Sequence, residues 1–553
     1  MKHPVFLLLI PMLFTANLCA QVPDSTFGVP NSFEGPGTSW PAVTGSDFGG
    51  REDRCFSTLY LPSGKIIQAG QSQGNNELDF ALVRLLQDGT FDSLAGYQGQ
   101  IRIDLGYQHD SCLAAILNDQ EQIVMGGCVS LPGGKGYINL LTRVDTNGQI
   151  DFTFGNNGKM EIDLPANHEM ITKMIGLKDG RILIAGNAFY GTSLDFPDST
   201  AVFVGRLLPN GQVDSTFGKH GFLYCRYEYT CKSSLLGDIA VDHKGRIILS
   251  GGSYSPYPGV IGNENVCTSY IHVHRYLNNG QPDASFGNQG QVELTFKQGR
   301  ATSILIENDD RILVAGMVTN FLLSQPVYTL LVRLLPNGSP DISFADGGYF
   351  VKYILGVSSS TEIFEIIKIK EKYYCGFVDD ANGDHLFFGI IRFKELGVID
   401  SLFGINGIFS NRYWLNASLY NMNQIHTIDS NSIYLTGYYS FLSQDNMFIS
   451  KVNIRNAISF TQQPGDSFDN IHFFPNPITG AALFLEWNST VSEEMSILLT
   501  DLQGRAIINK QIMMQTGINS IDLPPGLQNG VYFLSIKGNG FSQVEKCVIQ
   551  KGN

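Results

Sequence analysis

The chain has 553 residues, room for a large repeat array plus a small domain, and its 43% hydrophobic share fits a globular core. Charged residues make up only 16% and there are 60 glycines, a balance that points to turn-rich β structure and away from long helices or disorder. Thirty-seven basic residues against 51 acidic ones leave a net charge of −14 with no basic block, which speaks against nucleic acid as a partner.

The opening residues, MKHPVFLLLIPMLFTANLCA, place Lys2 ahead of an apolar run from Val5 to Phe14, then a small residue, Ala20, before Gln21. This order predicts a secretory signal peptide over residues 1–20. No later apolar run is long enough to span a bilayer, so no transmembrane segment is expected. Export permits disulfides, and Cys112 with Cys128 or Cys225 with Cys231 are close enough in sequence to pair. Cys375 fills a slot occupied elsewhere by Ala and reads as a buried thiol.

Next the chain repeats itself. Strings of the form DxxFG or a close variant begin at Asp24, Asp92, Asp151, Asp214, Asp283, Asp341 and Asp400. In phase with them run KIIQAG (65–70), QIVMGG (122–127), RILIAG (181–186), RIILSG (246–251), RILVAG (311–316), KYYCG (372–376) and SIYLTG (432–437). Each is short, apolar and rich in β-formers, as a buried strand is. Turn residues such as KDG precede several of these strings, a third strand such as LLVRLL follows, and a fourth such as KMEIDL comes after DxxFG. One such sheet cannot bury its faces alone, whereas seven stacked radially share a continuous core. The prediction is an all-β, seven-bladed β-propeller.

An Arg stands eight residues before the repeat Asp in six places: Arg84 with Asp92, Arg143 with Asp151, Arg206 with Asp214, Arg275 with Asp283, Arg333 with Asp341, and Arg392 with Asp400. The turn between them is expected to fold each pair together as an ion pair within its blade. The last repeat has Lys451 in the Arg slot and no DxxFG after it, while Asp24 has no Arg ahead of it. The two defects complement each other. An N-terminal strand is therefore expected to complete the seventh blade, pairing Asp24 with Lys451 and leaving no open edge. Recurrence in every blade marks these carboxylates as scaffold, because a ring has one centre for an active site.

These strings resemble the delta-60 repeat, a bacterial family whose pattern combines an Arg-containing strand, a DxxFG segment and a later apolar strand ending in Gly. The resemblance covers Val22 to about Phe460 and implies a propeller without a common activity. DSLAG, with Ala95, and DISFA, with Ala345, depart from the pattern and put local turn geometry in question. From Ile471, FFPNP (473–477), LLTDLQGR (498–505), LPPGLQNGVYFLSI (523–536) and EKCVIQK (545–551) resemble the type A C-terminal sorting domain of type IX secretion cargo in the Bacteroidetes. That likeness implies the type IX machinery as a partner, a route via the periplasm, and a secreted or outer-surface location. Alternating strands with QG and NG turns predict a small immunoglobulin-like β-sandwich. The expected layout is a signal peptide (1–20), a propeller (21–462), a linker (463–470) and a sorting domain (471–553).

No nucleophile elbow, zinc-protease helix, phosphate loop or EF-hand occurs. His272 and His274 of IHVHRY share one strand face as half of a metal site, yet no third ligand follows, so no metal is assigned. Asp380, Asn382 and Asp384 of DDANGDH offer oxygens to calcium, against a reading as a solvated loop; no other cofactor is expected.

The connections 187–200, 252–270, 317–328 and 411–420 vary freely and share the face opposite the repeat motif. Variable loops on a rigid ring are where binding resides. Tyr190, Phe196, Tyr254, Tyr257, Tyr413 and Trp414 are the candidates there for stacking on sugars or peptide side chains. Three functions stay open: a non-enzymatic scaffold for a glycan or protein ligand, a hydrolase or lyase with acids at the central channel, and a structural surface or adhesin component. The variable loops favour the first.

Overall fold

The computed structural model describes Phe27, residues 43–454 apart from short stretches (chiefly 192–198, 227–232, 255–269, 319–327, 353–360 and 412–416), and most of 472–549. The chain separates into two compact bodies, Met1–Ala457 and Ile458–Asn553.

In the first body each repeat is an antiparallel meander. Arg54–Tyr60 turns through PSG, where Gly64 takes the left-handed conformation a tight turn needs (φ 85°), into Ile66–Gln73. Leu78–Leu85 and Gln100–Ile103 complete the sheet. The same order recurs: among the described residues the strands form five four-stranded antiparallel sheets and one eight-stranded sheet in which two such meanders touch through a single parallel pair, His168 with Tyr137, and these seven meanders are the blades of a propeller. Middle strands such as Ile66–Gln73 are buried along nearly their whole length because neighbouring blades cover both faces, so they read as continuous apolar runs. The core lies between blades: Ile67, Phe80 and Leu82 of the first pack with Cys112, Ile123 and Leu140 of the second.

The innermost strand of every blade carries a β-bulge opposite the glycine that ends the second-strand string. A Cβ on Gly186 would overlap the Met170 carbonyl oxygen at such a bulge, which explains why the string closes on Gly.

The ring closes on itself. Val43–Ser46 pairs antiparallel with Met447–Ser450, adding a fourth strand to Ala417–His426, Ser432–Phe441 and Gln444–Asn453. In the other blades the outer strand starts eight residues after the repeat Asp, as Lys159 follows Asp151; here it starts at Val43, nineteen residues after Asp24. The closing strand is thus displaced from the VPDSTFG string. Phe27 of that string sits in a bend and is buried against the seam.

The expected disulfides do not form. Cys112 lies opposite Gly127 and Cys128 opposite Ser111, so the two side chains leave opposite faces of the sheet. Both are buried free thiols, as is Cys225, whose Sγ lies 3.4 Å from His274 Nδ1; Cys231 lies outside the described residues. Burial pushes the Cys128 and Cys225 thiols up to about 12, which makes them poor nucleophiles.

The two departures from the repeat string are accommodated differently. Ala95 occupies the slot that Phe154 or Phe217 fills elsewhere, and Ile101 takes over the space beneath the next turn glycine, Gly148. Ala345 keeps the left-handed conformation (φ 46°) of its counterparts Gly155, Gly218 and Gly404, with its N–H donating to the Leu396 carbonyl at 2.7 Å. An L-residue there is strained by ~1 kcal/mol or more. Ala345→Gly is expected to stabilise the propeller by about 0.5–1 kcal/mol, the added chain entropy of Gly offsetting part of the relief, as read from the urea midpoint.

The second body has two antiparallel sheets. One holds His472–Phe474, Ala482–Trp487 and Gly517–Asp522; the other holds Ala506–Met514, Glu493–Thr500, Gly530–Gly538 and Phe541–Ile549. Leu483, Leu485 and Ile521 from the first share a core with Ile497, Leu534 and Ile536 from the second. Among the described residues no helix is long and apolar enough to cross a membrane.

Candidate functional site

The repeat-motif face is built from the Arg and Asp of each repeat. Asp92 N–H donates to the Arg84 carbonyl at 3.0 Å, and the same bond recurs in the next five repeats. This closes the eight-residue return and brings the side chains together. Arg Nε reaches Asp Oδ2 at 2.8 Å for Arg84–Asp92, 2.9 Å for Arg143–Asp151 and 2.7 Å for Arg206–Asp214. The distance is 2.8 Å for Arg275–Asp283, 2.8 Å for Arg333–Asp341 and 3.0 Å for Arg392–Asp400. For Lys451 the described contacts include aromatic rings, its Nζ lying 5.9 Å from the Phe27 and Tyr434 centroids; Asp24 lies outside the described residues.

Each of these six Asp also meets a second partner from the first residue of the second-strand string: Lys65 (2.8 Å), Gln122 (3.0 Å), Arg181 (3.4 Å), Arg311 (3.3 Å) and Lys372 (3.0 Å), and for Asp283 the Arg246 guanidinium as an ion contact at 3.6 Å. Sequence reasoning missed these donors, although they lead KIIQAG and its counterparts. The guanidinium reaches onward to the next blade, Arg84 Nη1 donating to the Thr146 carbonyl and Arg333 Nη1 to that of Glu395, both at 2.8 Å. It also lies over the motif Phe, 4.4 Å from the Phe286 centroid for Arg275 and 4.6 Å from Phe344 for Arg333. The hydroxyl and N–H of Thr153, with Arg143, hold Asp151 down to about 2; against the cost of burial, Thr216 and Arg206 hold Asp214 down to about 2. Groups so fully committed to one another have no proton to exchange near neutral pH.

A second ring of polar contacts joins the innermost strands. At the bulge five blades turn a side chain toward the next, and its oxygen accepts a backbone N–H there, whereas the second and third blades carry Ala114 and Lys173 at that position. Ser57 Oγ accepts from Ala115 (2.9 Å), Asp238 Oδ2 from Ile304 (2.8 Å), Ser303 Oγ from Ile366 (3.3 Å), Glu365 Oε2 from Ile425 (2.7 Å) and Gln424 Oε1 from Thr58 (2.5 Å). Lys173 Nζ lies 3.1 Å from Asp238 Oδ1. Burial raises the Glu365 carboxyl to about 7 even with Lys173 nearby. Asp238 and Glu365, on innermost strands, both serve as blade-to-blade acceptors.

The opposite face carries the links between second and third strands and between blades. Tyr190, at the end of Ile182–Tyr190, is half-buried with the Arg226 guanidinium 5.2 Å from its ring centroid. Tyr254 ends Ile247–Tyr254, its backbone paired with Ser233. Phe196, Tyr257, Tyr413 and Trp414 lie outside the described residues. Asn382 and Asp384 do as well; Asp380 pairs with Leu386 in the hairpin that carries them. His272 and His274 are buried, their ring centroids 6.1 Å apart, and burial lowers both to about 4. Asp110 and Glu169 open the innermost strands of the second and third blades, where each carboxylate caps an N–H five residues back, Leu105 (3.2 Å) and Leu164 (2.9 Å). Burial raises them to about 7 and about 8.

Residues 472–550 match the family model of a secretion system C-terminal sorting domain. Residues 61–94, 177–217 and 307–344 match a domain of unknown function, DUF5122, described as a beta-propeller. No curated protein matches the chain. Among solved structures, a subtype N10 neuraminidase-like protein of A/little yellow-shouldered bat/Guatemala aligns at 9% identity over 62% of this chain and 96% of its own, with a TM-score of 0.34. RS223-Beta-xylosidase aligns at 12% identity over 50% and 90%, with a TM-score of 0.28. Bacteroides ovatus Xyloglucan PUL GH43B aligns at 11% over 67% and 88%, with a TM-score of 0.25.

Proposed function

We propose that this repeat β-propeller with a secretion sorting tail is a non-enzymatic scaffold that binds a glycan or a protein through its variable-loop face. Export by the type IX machinery, via the periplasm, would deliver it to the cell surface or the medium, with 471–553 as an immunoglobulin-like sorting domain. The contrast between the two faces carries the reading. On the repeat-motif face the first-to-second-strand connections are nearly uniform (61–65, 118–122, 177–181, 242–246, 307–311), and the Arg and Asp groups beside them are paired with one another. On the opposite face the second-to-third-strand connections range from 442–443 to 255–270. A scaffold holds constant what keeps it folded and varies what meets a ligand.

The test is a glycan and peptide array probed with the exported chain. Retention of an intact ligand, weakened by shortening 255–270, supports the reading. Cleavage of a retained glycan, abolished by Glu365→Gln, would establish the hydrolase alternative instead.

A further inference from the structure

We propose that Asp79, Asp104 and Asp110 form a site for one divalent cation of the calcium type, on the variable-connection face between the first and second blades. Asp79 stands near the start of Leu78–Leu85, Asp104 follows Gln100–Ile103, and Asp110 opens Asp110–Leu117 of the next blade. The fold thus delivers three carboxylates from distant points of the chain, with one oxygen of each within 4.8 Å of the others.

Asp110 is the informative member. It is fully buried, its Oδ2 accepts the Leu105 N–H, and its Oδ1 is buried with no hydrogen-bond donor. A buried, unmatched carboxylate oxygen costs free energy unless something cationic meets it. The cations that influence these acids direct their hydrogen bonds elsewhere, Arg102 to Ser72 and Gln73, Lys159 to the Leu105 carbonyl.

The scaffold does not demand an acid here. Five residues before the repeat Arg, where the first blade has Asp79, the next five carry Ile138, Ala201, Tyr270, Tyr328 and Phe387. An all-oxygen set suits a hard cation, and metal–oxygen distances of about 2.3–2.6 Å let one calcium bridge oxygens up to roughly 5 Å apart. Magnesium, with shorter bonds and strict octahedral demands, suits such a set less well.

Isothermal titration of the full exported chain, stripped with a chelator, tests this. Calcium is expected to bind saturably at one site with a Kd on the order of 0.1–1 mM, and magnesium more weakly. Asp104→Asn, at an exposed position that keeps the Oδ1 acceptor for Gly106 N–H, should weaken calcium at least about tenfold, and Asp79→Asn should do the same. Absence of saturable heat to about 10 mM calcium, wild-type affinity in both folded variants, or equal affinity for magnesium would overturn the proposal.

Discussion

Replacing Arg333 by methionine is expected to cost the propeller about 3–5 kcal/mol, the range for breaking one partner out of a buried ion pair. Its side chain is 1% exposed and does four things at once. It holds Asp341 (2.8 Å), donates to the Glu395 carbonyl of the next blade (2.8 Å) and to Ser343 Oγ (3.2 Å), and covers the Phe344 ring. Methionine retains part of the packing and none of the charge, so Asp341 keeps only Arg311 as a cationic partner, at 3.3 Å. Urea unfolding of the full chain, followed at the propeller transition, measures the loss. Arg143→Met should lose less, because Arg143 and Asp151 are more exposed, at 13% and 19%. A loss below about 1 kcal/mol at Arg333 would place the pair with surface ion pairs and remove it from the scaffold.

Acid should act on all these pairs together. Asp151 and Asp214 are held at about 2 in the fold, below the roughly 3.9 of an unfolded chain. Their contribution is therefore complete above about pH 4 and is lost as the pH falls toward 2. Asp110, Glu169 and Glu365 have the opposite sign, since their folded values of about 7 to 8 exceed the unfolded ones. Their cost appears as the pH rises from about 4 to 8.

What could be read from the sequence follows from how the repeats work. An ion pair that recurs in blade after blade imprints a fixed Arg-to-Asp spacing, and a strand buried on both faces imprints a continuous apolar run. Both are local and periodic. The inner ring of acceptors left no such imprint, because Ser57, Asp238, Ser303, Glu365 and Gln424 have only an acceptor oxygen in common. Any side chain able to accept one N–H serves at that bulge, so no motif is required. The cluster of Asp79, Asp104 and Asp110 was equally hidden, since it joins two blades through the twist of their strands and occurs once. The aromatic candidates stand on variable connections, which carry no repeat to fix their surroundings, and among them Tyr190 has a described side-chain contact, to Arg226.

Truncating Phe27 to alanine should cost about as much as the loss of Arg333, ~3–5 kcal/mol, although the residue lies outside every strand. Phe27 is 3% exposed, packs edge-on against Tyr434 at 5.6 Å, and fills the space beneath Gly89. Phe154 lies beneath Gly211 in the same way, Phe217 beneath Gly280, Phe286 beneath Gly338 and Phe344 beneath Gly397. In each case the motif Phe of one blade supports the turn of the next. Phe27 is therefore the seventh blade's motif Phe, supplied from the other end of the chain, with Lys451 beside it where other blades place Arg. Two variants separate wedge from strand. Phe27→Ala leaves Val43–Ser46 in place and should lower the melting temperature while the protein still elutes as wild type does. Deleting residues 21–46 also removes that strand and bares the edge of Gln444–Asn453, so association on size exclusion is expected as well. Unchanged melting in the first variant together with unchanged elution in the second would mean that the ring holds without its N-terminal clasp.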